Sequence, residues 1–159
     1  MKYITQDSRL RRDHSLYWHY LESVKDVMPR HLFEFASNTE NHDLKSPNSL
    51  HDSWLEYWRI AEIPTEGRSR RRTHIEACFL GPMHDRYIYL HYKNVERHTI
   101  TADHDRALQH GDLLVHEMVI VREGVYSHEL LFAGGMVFKV HFADFEHRIE
   151  LIDRQSLGE

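Results

Sequence analysis

The feature that most constrains the fold is a change of hydrophobic period near residue 50. Before it, Leu16, Tyr17, Tyr20, Leu21, Val24 and Met28 recur at three- and four-residue intervals, the apolar stripe of an amphipathic helix. Asp13 is its expected N-cap. Pro29 opens a second short helix carrying Leu32, Phe33 and Phe35, which Ser37 and Asn38 stop. Residues 37–49 are rich in Ser, Asn and Asp, with Pro47 near the end, and read as a surface loop.

Beyond the loop, side chains alternate. Trp54, Glu56, Trp58 and Ile60 share one side of a first strand and Leu55, Tyr57 and Arg59 the other, with a helix from Ser53 as the competing reading. Ile75, Ala77 and Phe79 alternate with His74, Glu76 and Cys78 in a second strand, and residues 87–95 return as a third. Residues 96–112 lack periodicity and read as an exposed connection with one helical turn. Residues 113–121 are apolar at nearly every position, which predicts a central strand covered on both faces. Residues 128–133 and 136–142 form a hairpin around Gly134-Gly135, and residues 148–152 form a last strand. The expected class is α+β. An N-terminal helical pair (residues 1–38) packs on an antiparallel β-meander of five to seven strands (residues 50–152), all in one domain spanning 1–159.

Fifteen histidines stand among 159 residues. Histidine is the side chain whose ordinary pKa lies nearest neutrality and the commonest metal ligand, yet these are scattered without a ligand motif. Protonating all fifteen carries the formal charge from −5 to +10, so stability is expected to depend steeply on pH between about 5 and 7. His116 falls among Leu114, Met118 and Ile120 and reads as a satisfied core histidine. His91 and His141 are expected on the opposite sheet face from their apolar neighbours, a histidine-lined surface if their strands are adjacent. One cysteine, Cys78, excludes an internal disulfide and a thiolate zinc site, and favours a reducing cytoplasm. No apolar run reaches the length of a membrane span, so no membrane partner is expected.

Adjacent His-Asp pairs occur at His51-Asp52, His84-Asp85 and 103–105. Such a doublet suits a metal-dependent phosphohydrolase when it lies on a helix with further ligands in register. On a strand, neighbours face opposite ways and cannot both reach one ion. The reading is therefore no metal and no cofactor, with Asp52 capping a turn and His51 packing on an aromatic. Arg68, Arg70, Arg71 and Arg72 form the one basic run, in the turn or loop expected over residues 64–72; it reads as a solvated hairpin loop, with recognition of a phosphate or an acidic partner as the functional alternative. The net negative charge and the lack of an aromatic-interleaved basic motif argue against nucleic acid. No Gly-x-Ser-x-Gly elbow or phosphate-cradling glycine loop is present.

The segments Ser49-Leu50-His51-Asp52-Ser53-Trp54-Leu55, Glu129-Leu130-Leu131-Phe132-Ala133-Gly134-Gly135 and Phe142-Ala143-Asp144-Phe145 resemble small uncharacterised bacterial domains, some of them similar to immunity proteins of toxin systems. The resemblance spans residues 49–150, implies that Leu-His-Asp opens the first strand, and implies no catalytic residue. It leaves the helical front unexplained. The expected function is a non-enzymatic protein-binding, immunity-like module whose binding residues are His51, Asp52, Trp54, Trp58, Arg70, Arg71 and Arg72. Its partner is another protein, or a second copy met through a sheet edge. The alternative is a small metal-dependent hydrolase using His and Asp residues.

Overall fold

The computed structural model describes residues 1–6, 11–67, 70–102 and 111–153. Two short strands, β1 (Thr5–Gln6) and β2 (Arg12–Asp13), pair with each other. Helices α1 (Ser15–Val24) and α2 (Arg30–Ser37) follow, then a 3₁₀ turn at Thr39–His42. Eight further strands come next: β3 (Trp54–Pro64), β4 (Arg71–Leu80), β5 (Arg86–Lys93), β6 (Arg97–Thr101), β7 (Leu113–Arg122), β8 (Val125–Phe132), β9 (Val137–Phe142) and β10 (Asp144–Leu151). The class is α+β, as the period change requires. The layout is richer than one meander, because the eight strands divide into two four-stranded antiparallel sheets, β10-β5-β4-β3 and β6-β9-β8-β7.

One bent hairpin joins the sheets. β5 pairs with β10 and β6 with β9, while only residues 94–96 separate β5 from β6 and only Ala143 separates β9 from β10. Two chain segments thus run from one sheet into the other, as strands do at the corners of packed sheets. The apolar faces meet inside. Ile75, Ala77, Phe79, Ile88, Leu90 and Tyr92 come from one sheet, and Leu130, Phe132, Phe138, Val140 and Phe142 from the other. Tyr17, Leu21, Leu32 and Phe35 of the helices join the same cluster.

The helical pair forms as its spacing predicts, with two local differences. Asp13 sits one residue before the N-cap position, where its Oδ1 accepts from the Ser15 backbone N–H at 2.8 Å and from the Ser15 hydroxyl at 2.6 Å. Leu16, placed on the apolar stripe by spacing alone, is exposed. The strand reading from Trp54 holds and the helical alternative does not. However, a bulge between Leu55 and Tyr57 breaks the alternation. The extra residue, Glu56, turns Trp54 and Trp58 to opposite faces, since Trp54 lies opposite Leu80 and Trp58 opposite the inward Ala77.

β7 has both faces covered, as its apolar run demands, but it is an edge strand and not a central one. Met118 and His116 face the core. On the other face the buried Glu117 carboxylate accepts backbone N–H bonds from Lys2, Tyr3 and Ile4, each at 2.7 Å. Helix α1 closes the edge. The Tyr17 hydroxyl donates to the Met118 carbonyl at 3.1 Å and accepts from the Met118 N–H at 2.9 Å, and the Tyr20 hydroxyl accepts from the Ile120 N–H at 2.7 Å. Two tyrosines therefore stand where a neighbouring strand would be.

β8 and β9 form the hairpin expected at Gly134-Gly135, joined by residues 133–136. Gly135 alone of the pair takes positive φ, at 85°. The connection expected over 96–112 contains β6, and residues 103–110 of it lie outside the described residues. β10 begins at Asp144, four residues before the last strand was expected.

Replacing Tyr17 by Phe strips Met118 of both partners in a buried setting. The expected cost is about 2 kcal/mol in urea unfolding at neutral pH, and a loss below about 0.5 kcal/mol would show that the α1 hydroxyls do not hold the β7 edge.

Candidate functional site

The sequence-predicted binding residues do not converge. His51, Asp52 and Trp54 stand at one end of the β3–β4 hairpin. Arg70, Arg71 and Arg72 stand at the other, opposite Pro64, roughly 30 Å away at strand rise. His51 and Asp52 contact each other, Nδ1 to Oδ1 at 2.8 Å, and Asp52 adopts a left-handed turn conformation with φ 62°. Trp54 is 47% exposed, with its Nε1 donating to Asp112 at 2.6 Å and its ring 4.3 Å from that of His84. Trp58 faces the interior, its ring 4.4 Å from Phe138 and 6.0 Å from Tyr92, so it is a packing residue and not an exposed anchor. Arg71 donates to the Glu62 carbonyl at 2.6 Å. Arg70, Arg71 and Arg72 border an open cleft of about 380 Å³ beside Asn94 and Glu96. Arg72 and Arg71 belong to β4 and its entry, not to a loop as the turn residues suggested, and Arg68 lies outside the described residues.

The histidines converge instead at the junction of the helical front with both sheets. His116 (β7) and His128 (β8) are 2% and 0% exposed. A line of hydrogen bonds crosses the core there. Tyr92 Oη lies 2.7 Å from His128 Nδ1, His128 Nε2 lies 3.0 Å from His116 Nδ1, and His116 Nε2 lies 3.2 Å from the Asn41 carbonyl. Burial keeps both rings neutral, and the carbonyl, which can only accept, then sets the direction: His116 donates from Nε2 and accepts at Nδ1, His128 does the same, and the Tyr92 hydroxyl donates. All four ring nitrogens are used.

His42 stacks on His116 at 4.2 Å and meets Trp18 edge-on at 5.1 Å, with His14 5.5 Å away. Phe35 lies among His128, His147 and Phe145 at 5.7, 5.0 and 4.7 Å. His116 meets the expectation of a satisfied core histidine. The histidine surface does not form as expected, because His91 and His141 lie in different sheets; the neighbour of His91 is His74, 3.3 Å away on β4.

Burial holds these rings neutral. It lowers the pKa of His42 to about 4, of His128 to about 3 and of His147 to about 4, and drives His116 well below the ordinary histidine value. Among the described residues, no group of three or more His, Cys, Asp or Glu side chains is placed to hold a metal ion.

Two solvent-facing regions flank this junction. The first is an open cleft of about 590 Å³ between α2 and β10. His31, Glu34 and Phe35 border it on the helix side, Asp144, Glu146 and His147 on the strand side, and Asn41 lies at its base. The second is the outer face of the β10-β5-β4-β3 sheet, where cross-strand pairing gathers Tyr57, Tyr87, Tyr89 and Arg148. The Tyr57 hydroxyl donates to Glu76 at 2.8 Å, and the Arg148 guanidinium lies 3.9 Å from the centre of the Tyr89 ring. Cys78, on this same face, is buried, and burial pushes its thiol up to about 11. Burial and the bond to Glu76 push the Tyr57 phenol up to about 12. Alternation along β5 alone puts Tyr89, His91 and Lys93 on one face, and the pairing of β4 and β10 against β5, which no local spacing announces, makes that face a cluster.

Together these features define an α+β protein of two corner-joined antiparallel sheets with a helical front over a neutral histidine cluster. No family model matches the chain, and neither a curated protein nor a solved structure matches it. No helix among the described residues is long and apolar enough to cross a membrane.

The four buried histidines titrate near pH 6.5 once the chain unfolds. Their folded pKa values are lower, so below pH 6.5 the unfolded chain binds protons that the folded one refuses. Each such group costs about 1.4 kcal/mol of stability per pH unit down to its folded pKa. Stability is thus full above about pH 6.5 and falls by roughly 8 kcal/mol between pH 7 and 5. Urea midpoints across that range measure it, and a change below about 1 kcal/mol would contradict the neutral cluster.

Proposed function

We propose that the chain is a non-enzymatic protein-binding module that docks a folded partner on the outer face of its β10-β5-β4-β3 sheet. The observation that carries this reading is the gathering of Tyr57, Tyr87, Tyr89 and Arg148 on one open face, with Tyr57 and Arg148 already held by neighbours. Tyrosine and arginine dominate interface energetics, and side chains ordered before docking lose less entropy on binding. Four strands of about eight residues offer roughly 500 Å² in plan, the order of one side of an ordinary protein interface.

The partner is a protein and not a nucleic acid. Arg59 lies 3.9 Å from Glu76, Lys93 pairs with Glu146, and Arg148 pairs with Glu150 at 2.5 Å. Cations matched in this way present no free positive track to a phosphate backbone. In a cytoplasmic setting the buried Cys78 thiol stays inert. An immunity-like role, in which the face covers a functional surface of a toxin, is one form of this reading. The metal-dependent hydrolase alternative is the weaker reading, because His51 and Asp52 engage each other and, among the described residues, no group of three or more His, Cys, Asp or Glu side chains is placed to hold a metal ion.

The test is affinity capture followed by binding measurement with the identified partner. Tyr89→Ser combined with Arg148→Ala is expected to weaken that partner by at least about 100-fold, while Val27→Ser in the exposed turn after α1 leaves it unchanged. Melting curves check that both variants fold. A partner held equally by the Tyr89/Arg148 variant would place binding elsewhere.

A further inference from the structure

We propose that the cleft between α2 and β10 is a binding site for an alkylguanidinium cation. Asn41, at the base of the cleft, is 1% exposed, and its Oδ1 is a buried acceptor without a partner. The orientation of the amide is set, because Nδ2 donates to the Phe35 carbonyl at 2.8 Å, so the oxygen cannot turn away. Nε2 of His147, on the opposite wall, is also buried and without a partner. An amide oxygen left unsatisfied in this way is unfavourable, and a ligand N–H relieves it.

The surroundings select the class of donor. Glu34, Asp144 and Glu146 place three carboxylates along the cleft; Arg30 pairs with Glu34 at 2.7 Å and Lys93 pairs with Glu146 and lies 3.9 Å from Asp144, so the two cations leave one negative charge in excess, which repels anions and favours a cation. Asp144 is held across the mouth by His31, Nε2 to Oδ1 at 2.8 Å, joining α2 to β10 over the entrance. Burial works against ionisation of Asp144, but the Phe145 backbone N–H and His31 hold its carboxyl below the usual range, so it is charged at neutral pH. Phe35 and Phe145 supply aromatic walls, their rings 4.7 Å apart centre to centre. A guanidinium fits this set better than an ammonium. Its plane stacks on aromatic rings, its donors reach several acceptors at once, and it is less strongly hydrated. The same head group arrives as a free small molecule or at the tip of an arginine side chain.

The experiment titrates the full chain with n-butylguanidinium and, separately, with its neutral isostere n-butylurea, following backbone amide shifts at neutral pH. A third titration uses N-acetyl-arginine N-methylamide, which carries the head group on a peptide. Saturable shifts at residues 31–41 and 144–147 with butylguanidinium, and not with butylurea, are expected. Binding of the peptide analogue as well identifies a side-chain site, and its failure beside butylguanidinium identifies a free ligand; the cation site stands in either case. Asp144→Asn and Glu34→Gln, on opposite walls, are each expected to weaken binding about tenfold, and Glu150→Gln, further along β10, by less than about twofold. Absence of saturable shifts, equal response to butylurea, or equal weakening by Glu150→Gln and Asp144→Asn would overturn the proposal.

Discussion

The line of hydrogen bonds from Tyr92 through His128 and His116 to the Asn41 carbonyl is the interaction on which the rest of the architecture depends. Each member comes from a different part of the fold: β5 in one sheet, β8 and β7 in the other, and the 3₁₀ turn of the helical front. Its direction is forced by a carbonyl at one end and a phenol at the other, so each ring has one allowed tautomer. A buried polar network satisfied at every atom specifies one arrangement of the elements that carry it. Here it sets how the helices sit on the sheets, and through Asn41 and Phe35 it sets the base of the cleft beside α2.

The histidine content becomes intelligible in these terms. At the junction the rings act as aromatic packing units with polar ends: His42 stacks on His116, and His128 and His147 flank Phe35. A phenylalanine in place of His128 would fill similar space and remove the acceptor of the Tyr92 hydroxyl, and one in place of His116 would remove the acceptor of the His128 Nε2–H. Charge, the property that makes histidine conspicuous in a sequence, is what this site suppresses.

Much of the fold was legible in the residues because its signals are local. The helical stripe with Tyr17 and Leu21, the alternation of β4 and β5, and the Gly134-Gly135 hairpin each follow from spacing within a dozen residues. What was not legible arises at longer range or from a single inserted residue. One bulge at Glu56 reverses Trp54 against Trp58, and no periodicity announces it. The apolar run of β7 was rightly read as covered on both faces. The cover on its outer side is an N-terminal segment bonded to Glu117, and its edge is taken by Tyr17 and Tyr20, partners about a hundred residues away in the chain. The candidate binding residues fared worst, because proximity in sequence placed Trp54 and Arg72 in one set and strand geometry sends them to opposite ends of a hairpin. Asn41 carried no signal at all; its importance lies in a lone pair that only the surrounding packing leaves unmatched.

The corner-joined hairpin has a mechanical consequence. Because β5–β6 and β9–β10 are each nearly continuous across both sheets, the sheets cannot slide or separate without breaking ladder bonds within a strand pair common to both. The helical front has no such backbone tie and is held by side chains: tyrosine hydroxyls on β7 and imidazoles beneath. The molecule is therefore divided into a stiff β frame, continuous through its backbone, and a helical layer held on it by side-chain hydrogen bonds and packing.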